Sequence, residues 1–144
     1  MSDTYIRFAF IFCHVFIQVL WTSTSRGRNV ESFLKTWMHI RSIPIVIFEF
    51  VGFGQILFPS HLAFPVPMTP VPHLPVQGLM ISIIGVAFAS WAKITMKNNW
   101  GRPAQHDRKI QSRLVTTGPF AFSRNPIYVG LFLLFLGQQI ALQS

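Results

Sequence analysis

Residues 114–130, LVTTGPFAFSRNPIYVG, hold the residues of this chain best placed to do chemistry. Thr117, Gly118 and Pro119 form a breaker cluster, which predicts a turn. Asn125 and Pro126 predict a helix start: an Asn side chain accepts an unpaired backbone N–H, and a Pro in the first helical position has none to orphan. Such an N-terminus carries free N–H groups and a partial positive charge, and Arg124 stands beside it. Together these attract a carboxylate or a phosphate. On local pattern alone the plainer reading is favoured, in which Asn-Pro only begins a transmembrane helix and Arg124 marks its cytoplasmic end.

The elements that must position this stretch are hydrophobic. Of 144 residues, 51% are hydrophobic, 15 are Phe and only 11% are charged, a profile of a small multi-span membrane protein rather than a soluble domain. The chain reads as a single membrane domain over residues 1–144, an all-α integral membrane bundle of about four transmembrane helices. The net charge of +8 reports orientation and anionic headgroups before it reports nucleic acid, and no aromatic-and-basic nucleic-acid module is visible. The single cysteine, Cys13, lies in an apolar run, so no disulfide framework or thiolate metal site forms within one chain.

Residues 5–21 are apolar except for Arg7, His14 and Gln18 and predict the first span, retained rather than cleaved, because Asp3 offsets Arg7 and no A-x-A site follows. Residues 22–42 interleave Arg26, Arg28, Lys35 and Arg41 with Phe33, Leu34, Trp37 and Met38, the pattern of an interfacial amphipathic helix. The second span, 43–58, contains Glu49. An acid at membrane depth suggests contact with a substrate amine, a proton or a cationic partner; a protonated or locally hydrogen-bonded Glu that helps helices pack is an even alternative. Residues 59–75 hold six prolines and His61 and His73, and predict an extended loop without regular helix or metal centre. In the third span, 76–96, Gly78, Ser82, Gly85 and Ala89 leave one face smooth enough for close helix packing. Residues 97–124 are strongly basic, and 127–142 form the fourth span. With segment 97–124 cytoplasmic, alternation places 22–42 inside as well and the uncharged proline loop outside, as the positive-inside rule asks.

Residues 114–130 also resemble the isoprenylcysteine carboxyl methyltransferase and phospholipid methyltransferase group of integral membrane enzymes, whose signature reads approximately H-x-L-V-T-x-G-x-Y-x-x-x-R-H-P-x-Y-x-G. Leu114, Val115, Thr116, Gly118, Arg124, Pro126, Tyr128 and Gly130 match it, and the similarity covers about residues 105–143. The resemblance implies an S-adenosyl-L-methionine site to which Gln105, Leu114, Val115, Phe120, Arg124, Asn125, Pro126, Ile127 and Tyr128 contribute. It also implies a lipid-embedded methyl acceptor, such as a prenylcysteine carboxylate or a phospholipid amine, with membrane lipids as surroundings. Ser112, Phe120 and Asn125 replace the family's first histidine, its tyrosine and its second histidine. The family's further span and cytoplasmic tail, with glutamates and an arginine that complete the site, have no counterpart before Ser144, so the resemblance implies a truncated chain, a second chain supplying that tail, or a protein that is not a competent enzyme. No catalytic residue is assigned. A non-catalytic membrane module and an NADPH-using membrane reductase are the alternatives, and a bacterial inner membrane is favoured over the endoplasmic reticulum.

Overall fold

The computed structural model describes residues 3–23, 43–58, 71–96 and 115–142. These form helices α1, Asp3–Ser23; α2, Ile43–Leu57; α3, Leu74–Met96; and α4, Pro126–Leu142, with a short 3-10 turn at Gly118–Ala121. The architecture is the all-α bundle that the four apolar runs predict. Thr4–Ser23 and Leu74–Met96 are long and apolar enough to cross a membrane, and Val46–Leu57 and Pro126–Leu142 are shorter apolar helices. Outward-facing Tyr5, Phe8 and Phe12 on α1, Phe50 on α2, and Met80, Ile83 and Ile84 on α3 suit a lipid surround.

α3 and α1 both extend past their expected spans. α3 begins at Leu74, so Pro75 belongs to its first turn and not to the loop. A missing N–H there breaks no intrahelical bond, which is why the proline is tolerated. α1 runs on to Ser23, where the Thr22 hydroxyl donates to the carbonyls of Gln18 and Val19 and the Ser23 hydroxyl to those of Val19 and Leu20. The rest of the expected amphipathic helix, most of the proline loop with His61, and most of the basic segment lie outside the described residues.

α3 and α4 make the tightest contact. Gly78 faces Gly137 and Ala141, while Gly85 faces Gly130 and Leu134, so the two helices run antiparallel with backbone nearly on backbone. The Ser82 hydroxyl donates to the Leu134 carbonyl at 2.8 Å, a bond that only such an approach permits. The smooth face read from Gly78, Ser82, Gly85 and Ala89 is thus the α3–α4 interface. In lipid, where apolar burial between helices gains little, this packing and the interhelical hydrogen bonds carry the association.

α1 and α2 complete the bundle. Cys13, Ile17 and Trp21 of α1 pack with Val86 and Ala89 of α3 and Leu131, Leu134 and Phe135 of α4. Ile6 and Phe10 pack with Ile56 of α2 and Ala141 of α4. Successive helices therefore alternate in direction, and α1 and α3 end at the end of the bundle where α2 and α4 start.

Between the helices runs a chain of buried polar side chains. Glu49 Oε2 lies 3.0 Å from His14 Nδ1, and His14 Nε2 lies 2.9 Å from Gln138 Oε1. The Gln138 amide nitrogen donates to the Gly52 carbonyl at 3.0 Å and to Gln55 Oε1 at 3.3 Å; the Gln139 amide nitrogen donates to the same Gln55 oxygen at 2.7 Å. Glu49 is thus hydrogen-bonded within the bundle, through His14.

Candidate functional site at the start of α4

The backbone that leads into α4 is built from its breakers. Thr117 is extended, at φ −98° and ψ 162°, and Gly118 then takes φ +62°, a left-handed conformation that costs a residue with a Cβ about 1–2 kcal/mol. Pro119 is buried at the head of the 3-10 turn, and its carbonyl accepts from the N–H groups of Phe122 and Ser123, each at 3.2 Å. The Ser123 hydroxyl accepts from the Asn125 N–H at 3.2 Å. The Asn125 carbonyl then accepts the Val129 N–H at 3.2 Å, the first turn of α4. The helix starts at Pro126, where Asn-Pro predicts it.

The turn rests on the last turns of α3. A Cβ on Gly118 would stand 3.3 Å from Thr95 Oγ1 and 3.6 Å from Trp91 Nε1. Thr95 is held in turn, its hydroxyl donating to the Trp91 carbonyl at 2.8 Å. Neither residue was expected from the motif. Their spacing was the available signal, because residues four apart on a helix share a face. Lys93, on the same stretch of α3, is only 2% exposed and likewise stood unremarked inside an apolar run.

The described candidate residues fall into two sets. Arg124, Asn125 and Tyr128 are exposed together at the helix start. Pro126 is buried and Ile127 packs against the hydrophobic core, so this pair anchors the helix start to the bundle. Val115 and Phe120 are half-buried on the approach. Gln105 and Leu114 lie outside the described residues.

This arrangement presents an anion with several donors. Ile127 and Tyr128 are the first helical residues with an N–H, and no carbonyl lies four residues back within the helix to accept either. Those N–H groups and the Arg124 guanidinium are suited to a carboxylate or phosphate. The Tyr128 ring, 61% exposed, offers an aromatic face or edge beside them. The site therefore sets groups suited to an anion beside an aromatic surface, at the end of the bundle where α1 and α3 end.

Comparison with known proteins points to the same part of the chain. Residues 75–144, which contain nearly all of α3, the turn and α4, match the phospholipid methyltransferase family model. Over 69 residues the chain is 33% identical to the protein-S-isoprenylcysteine O-methyltransferases of Homo sapiens and Rattus norvegicus and 32% identical to that of Xenopus laevis. Each match covers 48% of this chain and 24% of the relative, so the shared stretch is about a quarter of the relatives' length. No solved structure matches the chain.

Proposed function

We propose, from the match of residues 75–144 to the phospholipid methyltransferase family model, that the chain is a membrane methyltransferase using S-adenosylmethionine. Its acceptor is a lipid-embedded group, a prenylcysteine carboxylate or a phospholipid amine. The observation that carries this reading is the joint exposure of Arg124, Asn125 and Tyr128 at the start of α4, within the segment that matches the family.

The residues fit the cofactor's chemistry. Its methionyl carboxylate is the anion that Arg124 and the N–H groups of Ile127 and Tyr128 would hold. Its adenine and its sulfonium cation both suit aromatic rings, which Tyr128 and half-buried Phe120 supply. Val115 leads into the turn, and Gln105 and Leu114 join the site on the family resemblance. When bound, S-adenosylmethionine supplies an electrophilic methyl group on a sulfonium. Gly118, seated on Trp91 and Thr95, fixes the approach to α4, and buried Pro126 and packed Ile127 fix the helix start. Such positioning counts for much in methyl transfer, since holding reactants in line contributes up to about 7–11 kcal/mol to lowering a barrier. A carboxylate acceptor reacts without a base, whereas an amine must first lose a proton.

The topology supports a cytoplasmic cofactor supply. The helix ends that lead into both basic segments of the sequence lie where α4 starts, and on the positive-inside rule that end is the cytoplasmic one, in a bacterial inner membrane on this reading. The test is calorimetric titration of the detergent-purified chain with S-adenosylmethionine. Micromolar binding is expected, weakened about tenfold or more by Arg124→Ala through loss of a charge-assisted bond, and less by Tyr128→Ala. Absence of binding by the folded chain overturns the proposal.

A further inference from the structure

The orientation of the buried polar cluster is set by one atom that cannot change its role. The Gly52 carbonyl oxygen only accepts, so the Gln138 amide nitrogen, 3.0 Å away, must face it. Gln138 Oε1 then faces His14 Nε2 at 2.9 Å, and that ring nitrogen must carry a proton. The other ring nitrogen, Nδ1, stands 3.0 Å from Glu49 Oε2. Without a proton on this contact, a lone pair would face a carboxylate oxygen. With one proton there, the contact is a hydrogen bond, either imidazolium to carboxylate or carboxylic acid to neutral imidazole. Both arrangements contain a single shared proton, and in both the pair carries no net charge.

We propose that His14 and Glu49 form a buried proton-binding site whose one shared proton locks α1 and α2 onto α4. The surroundings demand neutrality. His14 is 0% and Glu49 5% exposed, and the rings of Phe53 and Phe135 close on the imidazole with centroids 5.1 and 5.2 Å away. A net charge in so apolar a site is heavily penalised. The other ionisable groups on the packed helices offer no substitute among the described residues. On α1, Cys13 packs into the apolar core and Arg7 lies about 10 Å along the helix from His14. On α3, Lys93 lies about 22 Å along from Gly78, the residue opposite Gly137. On α4, Tyr128 lies about 15 Å from Gln138. The site is separate from the start of α4, and the inference does not depend on the methyltransferase reading.

Glu49→Gln and Glu49→Leu separate a proton lock from mere packing. A Gln amide donates a fixed N–H to His14 Nδ1 and replaces the shared proton, whereas Leu leaves that nitrogen without a partner. In detergent, Glu49→Leu should lower the folding equilibrium constant about a hundredfold or more, and Glu49→Gln by less than tenfold. The second measurement needs only the wild-type chain. At pH 7, nitrogen NMR of labelled histidine, assigned by difference from His14→Gln, should show both ring nitrogens protonated, or infrared spectroscopy should show a protonated carboxyl that Glu49→Gln removes. Either spectrum supports the proposal. An ionised Glu49 beside a neutral His14, whichever ring nitrogen holds its proton, or a Glu49→Gln variant as damaged as Glu49→Leu, overturns it.

Discussion

At the start of α4, Arg124, Asn125 and Tyr128 face outward, whereas about 18 Å further along the same helix Gln138 is fully buried and bonded to His14, Gly52 and Gln55. Both regions set polar groups among apolar helices, and they differ in where the hydrogen-bonding capacity goes. Around Gln138 it is spent within the bundle, joining three helices. At the helix start, Arg124, Asn125 and Tyr128 face outward, and on the proposed function their capacity is left for a ligand. On that proposal, the polar groups answered inside the protein serve stability and those facing outward serve recognition, so substitutions in the two regions should separate into effects on folding and effects on affinity.

The largest effect should come from Gly137→Leu. Any Cβ there runs into the Gly78 carbonyl and Ser82, so α3 and α4 must move apart, and denaturant titration in detergent should show about 3 kcal/mol of lost stability. Calorimetry on the remaining folded protein should find S-adenosylmethionine affinity little changed; a parallel loss of affinity would break the separation between the two regions. Gly118→Ala should fall between them. Its positive φ and the Thr95 hydroxyl beneath it predict about 1–2 kcal/mol of destabilisation together with weaker binding, since the turn must shift to relieve the strain. Arg124→Lys should have the smallest effect. Stability should stay within about 0.5 kcal/mol by the same titration, because the residue is exposed, while affinity drops several-fold as the planar two-pronged donor is lost. Equal affinity in this variant would mean that Arg124 contributes charge alone.

Features written within one helix or one turn were legible in the sequence. Thr117 to Pro119 announced the turn, Asn125-Pro126 announced the start of α4, and the steps between Gly78, Ser82, Gly85 and Ala89 gave the face that α4 covers. Each signal is local, so periodicity or breaker chemistry exposes it. The His14–Glu49 pair was not legible, although both residues stood out as interruptions of apolar runs. They are 35 positions apart on different helices, and only the packing of α1 against α2 brings them together. For the same reason the sequence did not reveal Trp91 and Thr95 as the seat of Gly118: the motif ends well after α3 does, and their contact with it is a product of the fold.

The glycine-on-glycine crossing of α3 and α4 also bears on how such a chain tolerates evolutionary drift. Where two helices meet through main-chain atoms, the fit depends on a few positions staying small and hardly at all on the identity of the residues facing away. Lipid-facing positions such as Met80, Ile83 and Phe132 can then exchange among apolar types without altering the crossing. The crossing therefore constrains only the positions where the two helices touch and leaves the rest of each helix free to change.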